Sequence, residues 1–238
     1  MLDKLNIENI LFLDIETVPC ESSFDHLSDR MKELWAIKTL QKRKETESPE
    51  EFYRSAGIFA EFGKIICISA GYFKNSKDGY NFRITSFAGD DEFIIIKDFF
   101  SLLNHHFNKK DHSLCAHNGK EFDYPYIARR ALINNLKLPD ILDLAGKKPW
   151  ESGLLDTLEL WKFGDYKSYT SLNLLATIFN IPTPKDDIDG SKVYDVYWKE
   201  KDLKRIINYC QKDVLTVAQL FLRFRGESLL KDENIHYI

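Results

Sequence analysis

Three short segments carry residues that could do chemistry. Asp14 and Glu16 stand two apart at the end of the apolar run Ile10-Leu11-Phe12-Leu13. Side chains of a strand repeat every two residues, so both carboxylates project from one face. Neighbouring carboxylates repel unless a cation neutralises them, and hard oxygen ligands suit Mg2+ or Mn2+. The spacing alone does not decide, because 37 acids in 238 residues give about six acid-x-acid pairs by chance. A metal site and a solvated strand end both fit this pair. Asp123 lies in Ala116-His117-Asn118-Gly119-Lys120-Glu121-Phe122-Asp123-Tyr124, after a short strand and at a helix start. A carboxylate there can simply complement the helix dipole. Asn118 and Phe122 add an amide and a ring able to hydrogen-bond and stack on an unpaired nucleotide. Tyr209 and Asp213 are four apart on a long helical pattern and therefore share a face. They border its apolar stripe, where an acid needs a partner.

Periodicity predicts the elements that position these residues. Residues 10–17 read as a buried strand. The charged stretch 23–55 has helical spacing at Met31, Leu34, Trp35 and Ile37, and Ser48-Pro49-Glu50-Glu51 has the capping-box form that starts a second helix. Residues 64–73 and 81–87 are β-rich, separated by a turn-prone segment, and with the first strand predict an antiparallel meander. Phe93, Ile96, Phe99, Phe100, Leu103 and Phe107 recur at helical intervals. Further on, 113–117 reads as a strand, 122–134 as a helix, 154–156 as a short strand and 171–179 as a helix. Residues 202–225 form the clearest helix, with the stripe Leu203, Ile206, Ile207, Cys210, Val214, Val217, Ala218, Phe221, Phe224. Strands joined by crossover helices predict an α/β fold with a central mixed sheet flanked by helices. The expectation is one domain over residues 1–238 with a helical insertion at about 23–60.

A hydrophobic fraction of 44% with 29% charged residues is that of an ordinary globular protein. No apolar run approaches the ~20 residues of a membrane span, and Asp14 breaks the N-terminal apolar stretch before any cleavage-site pattern. Cys20, Cys67, Cys115 and Cys210 show no paired spacing and read as reduced thiols of a cytoplasmic protein. A net charge of −4 argues against a protein that coats nucleic acid, not against an enzyme that grips a strand end. Reserving four of the 37 acids for metal leaves 33 against 33 Lys and Arg. Asp156 reads either as a strand-end acid or as a neighbour of the metal site. His105, His106, His112 and His117 with Cys115 fit no closed zinc spacing. Lys109-Lys110, Lys147-Lys148 and Arg129-Arg130 are candidate phosphate contacts that charged surface pairs can mimic.

Taken in order, LFLDIETVP, AHNGKEFDYPYIARR and YCQKDV resemble the three exonuclease motifs of the DEDD superfamily. The closing Tyr-x-x-x-Asp matches the tyrosine branch (DEDDy); the histidine branch would place His where Asn208 stands. The stretches KPW, LDTLELWKFGD, SLNLLA and KDDIDG further resemble stand-alone predicted exonucleases related to the proofreading domain of family B DNA polymerases. The resemblance covers nearly the whole chain. It implies an RNase H-like fold and a metal-dependent 3′→5′ exonuclease, with Asp14, Glu16, Asp123 and Asp213 binding two divalent ions, Mg2+ or Mn2+. Two cations about 3.5–4 Å apart clamp the attacking and leaving oxygens of a phosphodiester displacement. Tyr209 is implied to aim the water, since a phenol of pKa about 10 is a poor base. Thr17, Asn118 and Phe122 are implied contacts to the terminal nucleotide. The expected partner is nucleic acid with a free 3′ end, single-stranded DNA ahead of RNA, with no membrane and no attached polymerase domain. RNA 3′-end trimming, or a catalytically silent nucleic-acid-binding module on the same fold, are the alternatives; the presence of all four acids and the tyrosine counts against the silent module. The 186–190 loop belongs to the resemblance without a mechanism.

Overall fold

The computed structural model describes residues 2–77, 79–148, 151–165, 169–182 and 188–238. Its strands are β1 (Ile10–Pro19), β2 (Gly63–Ser76), β3 (Gly79–Ala88), β4 (Ser113–Ala116), β5 (Leu155–Asp156) and β6 (Ile235–Tyr237). Among the described residues they form one six-stranded sheet in the order β5-β4-β1-β2-β3-β6. The expected antiparallel meander β1–β2–β3 is present, while β4 joins β1, β5 joins β4 and β6 joins β3 in parallel. The helices are α1 (Asp29–Thr39), α2 (Pro49–Phe52), α3 (Glu92–His106), α4 (Asp123–Ile133), α5 (Thr157–Lys162), α6 (Leu172–Ile178), α7 (Val193–Asp195) and α8 (Leu203–Phe224). A π-helical turn, Val196–Glu200, follows α7.

β1 is apolar on both sides because helices cover both faces. Leu11, Leu13 and Ile15 pack with Ile96, Phe99 and Leu103 of α3 and with Tyr124 and Ile127 of α4. The even residues Ile10 and Phe12 pack with Val214, Val217 and Phe221 of α8. Each such side chain removed from water contributes roughly 1.5–3 kcal/mol before entropy is counted. The even face of β1, which also carries Asp14 and Glu16, is thus the face toward α8. Caps set the helix starts: Asp202 accepts from Arg205 N, Asp91 from Phe93 N and Ile94 N, and Ser48 and Glu51 close the expected capping box.

Segment 23–60 builds its own cluster around Trp35, with Tyr53, Phe59 and Phe62 edge-on to the indole. It docks on β1 through Gly57, where an added Cβ would stand 3.1 Å from Val18 Cα and 3.2 Å from the Thr17 carbonyl oxygen. Of the expected α1 stripe only Trp35 is sealed; Leu34 and Ile37 are exposed. In α3 likewise Phe93 is exposed, and the buried face runs through Glu92, Ile95, Ile96, Phe99, Phe100 and Leu103. β6, a short strand added at the β3 edge, and the helical segments α5 and α7 have no signal in the periodicity.

Glu92 explains how α3 is rotated. Its buried carboxylate accepts from Arg130 Nε at 2.8 Å, from Asn134 Nδ2 at 2.8 Å and from Ile65 N at 2.7 Å. Arg130, read from sequence as half of a surface pair, is itself buried, and its Nη1 also donates to the Ala60 carbonyl at 2.9 Å. The pair ties α3, β2 and α4 together. Removing one partner of a buried ion pair leaves an uncompensated charge. Glu92→Ala should therefore cost about 3–5 kcal/mol, read as a lower urea midpoint at unchanged slope. An unshifted midpoint would show that the pair contributes nothing to the fold.

Candidate active site

The site is built where the sheet comes apart. β4 pairs with β1 only along Ile10–Phe12, whereas β2 follows β1 to Pro19. Beyond Phe12, one edge of β1 is open. The chain leaves β4 and turns at Asn118, whose φ of 61° is left-handed, a conformation Asn tolerates better than most residues. Gly119 follows because there is no room for a side chain: a Cβ would lie 2.5 Å from that of Ala116 and 3.0 Å from the Tyr124 ring. Asp156 holds this turn, accepting from Asn118 N at 2.9 Å and Lys120 N at 3.0 Å while capping α5 through Leu158 N at 2.9 Å. It is a fully satisfied strand-end acid. With the turn fixed, α4 starts at Asp123, whose carboxylate fills the open edge and accepts from Ile15 N at 3.2 Å.

A second irregularity lies on the other side of β1. Glu16 pairs with Cys67 but Thr17 pairs with Ile65, so Ile66 is an extra residue in β2. Such a bulge bends the strand and re-aims side chains; here Ile66 and Cys67 both join the cluster under α8 with Ile206 and Cys210. α8 crosses this face and brings Tyr209 and Asp213, one turn apart, over Asp14 and Glu16. The Tyr209 hydroxyl is hydrogen-bonded to Asp213. Donor atoms of Asp14, Glu16 and Cys210 lie within 4.8 Å of one another.

These groups oppose one another electrically. Burial raises Asp14 well above the ordinary carboxylate range, and the charges of Glu16, Asp213 and Asp123 raise it further. Glu16 is raised by burial, then by Asp213, Cys67 and Asp123. Asp123 is pushed from 3.8 up to about 7, chiefly by burial, with its backbone hydrogen bonds working the other way. Burial and then the charges of Asp213, Glu16 and Asp14 raise the Tyr209 phenol. Asp14 Oδ2 is sealed from solvent without a hydrogen-bond partner, a cost of about 1–3 kcal/mol or more for a charged acceptor. A set of carboxylate oxygens with one acceptor left bare fits a hard divalent cation.

The five residues Asp14, Glu16, Asp123, Tyr209 and Asp213 are thus brought together. Thr17 and Phe122 both reach the group formed by Gly57 and Tyr126. The Thr17 hydroxyl donates to the Gly57 carbonyl at 2.8 Å, Tyr126 donates to the same oxygen at 2.7 Å, and the Phe122 ring lies 5.3 Å from that of Tyr126. Asn118 stands at the turn between β4 and α4. His117 is engaged by Thr157 Oγ1 at 2.9 Å and the Thr170 carbonyl at 3.0 Å, and His105 by the Ser101 carbonyl. Neither joins a metal cluster. Lys109, Lys110, Lys137 and Lys147 line a separate cleft of about 750 Å³ with no carboxylate of the site in its wall. Pro149 and Trp150 of the KPW stretch, and Asp186 and Asp187 of the 186–190 loop, lie outside the described residues. Sequence reading missed Cys67 and Cys210 as neighbours of the carboxylates. Cys210 was visible only as a stripe position, although its place beside Tyr209 hinted at more.

A family model described as "Predicted 3'-5' exonuclease related to the exonuclease domain of PolB" matches residues 58–233. No curated protein matches the sequence significantly. Among solved structures, the family B DNA polymerase from the hyperthermophilic archaeon Pyrobaculum calidifontis is similar with a TM-score of 0.52 at 19% identity, over 90% of this chain and 24% of that one. The chain spans about a quarter of the polymerase's length. At this identity the likeness is one of fold, and with the mixed six-stranded sheet it is RNase H-like. No helix among the described residues is long and apolar enough to cross a membrane.

Without a cation the raised carboxylates bind more protons folded than unfolded. Their contribution is therefore most favourable below the unfolded pKa and is lost as pH rises through the folded value, between about 4 and 7 for Asp123. The Tm of chelator-treated protein should fall from about pH 5 to pH 8. Mn2+ should restore it at the higher pH. Asp14→Asn should raise the metal-free Tm at about pH 8 and abolish the Mn2+ increment. A Tm that rises over this interval in chelator would contradict the electrostatic reading.

Proposed function

This chain belongs to the family of predicted 3′-5′ exonucleases related to the exonuclease domain of PolB, and from that premise we propose that it removes nucleotides from the 3′ end of single-stranded DNA. As a member it is a phosphodiester hydrolase. The observation that carries the finer reading is the clustering of Asp14 and Asp213 with the buried Glu16 and Asp123, with Asp14 Oδ2 unpartnered and Tyr209 beside it.

Asp14, Glu16, Asp123 and Asp213 would hold two divalent ions, Mg2+ or Mn2+. When bound, such ions neutralise the phosphate and make a water nucleophilic near neutral pH. Tyr209 orients that water. Its phenol is held protonated by burial and by the surrounding carboxylates, so it donates a hydrogen bond and takes no proton. Asp123 is braced by Ile15 N and cannot swing away without leaving that donor bare. The half-buried Phe122 ring and the Asn118 turn are the proposed seat of the terminal base, with Thr17 on the same side. Segment 23–60 is read as a helical insertion into a single nuclease domain, supported by its own Trp35 core. The proposed setting is cytoplasmic, a compartment that keeps four free thiols reduced.

The test is a time course on 5′-labelled single-stranded DNA and RNA of equal sequence, with Mg2+, Mn2+ or chelator. Expected is a ladder shortened from the 3′ end, faster on DNA, and silent in chelator. Internal cuts in a circular strand, or full activity in chelator, would refute the reading. Asp213→Ala should lose nearly all turnover. Tyr209→Phe should lose roughly 10²–10³ in single-turnover rate, as for removal of one oriented donor, while strand binding survives. Parent-like cleavage by Tyr209→Phe would remove the tyrosine from the mechanism.

A further inference from the structure

Cys210 stands against the carboxylates and has no part in the chemistry above. Its Sγ and the carboxylate oxygens of Asp14 and Glu16 lie within 4.8 Å of one another. It donates to the Asp14 carbonyl at 3.4 Å, so the thiol sits directly against the strand that carries both acids. Cys67, opposite Glu16 in the β1–β2 ladder, is within hydrogen-bonding reach of it. This is not an inert apolar pocket. Cys67 Sγ is 3.6 Å from Ser69 Oγ, Ser69 Oγ is 2.8 Å from Ser86 Oγ, and Gln211 Nε2 donates to Ser86 Oγ at 2.9 Å. A polar chain thus runs behind the site and ends at the thiol. In front of it stands Asp14 Oδ2, buried and unpartnered.

Hard and soft cations meet different donor sets here. Mg2+ and Mn2+ prefer the carboxylate oxygens, whereas thiophilic ions prefer sulfur. We propose that Cys210 joins Asp14 and Glu16 as a third ligand for thiophilic divalent ions, Zn2+ and Cd2+, and that an ion so held inhibits the enzyme. The inference rests on the reading of Asp14 and Glu16 as metal ligands. On binding, the Cys210 S–H bond breaks, its electron pair forms the metal–sulfur bond, and the proton leaves to solvent; no oxidation is involved. With hard ions, which prefer the carboxylate oxygens, the sulfur stays uncoordinated. Coordination by a metal is what deprotonates it. An ion bound to the Cys210 sulfur, between α8 and the face of β1 that carries both acids, holds them on its own terms and denies them to two oxygen-bound ions.

The test uses the full chain, freed of metal, at mildly alkaline pH. Titration with Cd2+ should produce the ultraviolet sulfur-to-cadmium charge-transfer band, which Mg2+ and Mn2+ do not produce. Cys210→Ser should abolish the band and Cys67→Ser should keep it. In calorimetry on the parent protein in two buffers of different ionisation enthalpy, Cd2+ should release about one proton more per ion than Mn2+ does. That measurement needs no variant, so it stands if Cys210→Ser does not fold. In the nuclease assay, normalised to each variant's own Mn2+ rate, Cys210→Ser should need at least tenfold more Zn2+ for half-inhibition. Absence of both the band and the extra proton overturns the proposal even if the chain cleaves DNA with Mn2+. A band lost in Cys210→Ser from a protein that cleaves nothing sustains the thiol ligand and defeats the exonuclease reading instead.

Discussion

Four carboxylates drawn together in a place partly closed to water constitute the constraint on which this structure depends. Like charges at such separations disfavour ionisation, and burial adds to the penalty. Burial first, and then the neighbouring charges, raise Asp14, Glu16 and Asp123 above the ordinary carboxylate range. A fold that tolerates it must hold each acid so firmly that none relaxes outward. The backbone hydrogen bonds, the bulge and the helix crossing are the means by which it does so.

Each acid is restrained by a different device. Asp14 and Glu16 are fixed by the central strand, whose odd face is locked into the α3–α4 layer and whose even face lies under α8. Asp123 is fixed by an absence: β4 stops pairing with β1 after Phe12, and the carboxylate takes the ladder donor that the missing strand leaves at Ile15. Asp156 governs that arrangement from outside the ring, since it sets the Asn118–Lys120 turn that aims α4. The Glu92–Arg130 pair then clamps α4 against α3 and β2. Asp213 and Tyr209 ride on α8, whose position follows from its apolar contact with β1. The frustrated centre is therefore surrounded by well-satisfied groups, the pattern expected when a site stores strain for function.

The thiols illustrate how close a structural reading and a chemical one can lie. By burial alone Cys67 and Cys210 are ordinary core residues. Pairing with Glu16 puts Cys67 on the face toward α8, and only the helix crossing sets Cys210 beside Asp14. A one-residue change of register would put Cys67 on the opposite face and leave the site purely oxygen-lined.

Much of this was legible from residues in order. Strand period two puts Asp14 and Glu16 on one face, and helix period puts Tyr209 and Asp213 on one face, because both follow from local backbone geometry. The meander, the mixed sheet and most helix starts followed from the same periods and from caps such as Asp91, Ser48 and Asp202. The resemblance of three motifs then named the chemistry. Tertiary structure alone decided which face of α3 is inward, where Glu92 overrides the aromatic stripe and leaves Phe93 in solvent. It also decided that Arg130 is buried, that the Thr17 hydroxyl serves the Gly57 carbonyl, that β6 closes the far edge, and that Asp123 reaches Ile15 across 108 residues of sequence. The reason is physical: periodicity is set by bonds between neighbours, whereas these contacts depend on strand order, on register and on where a strand stops pairing, which no local pattern encodes.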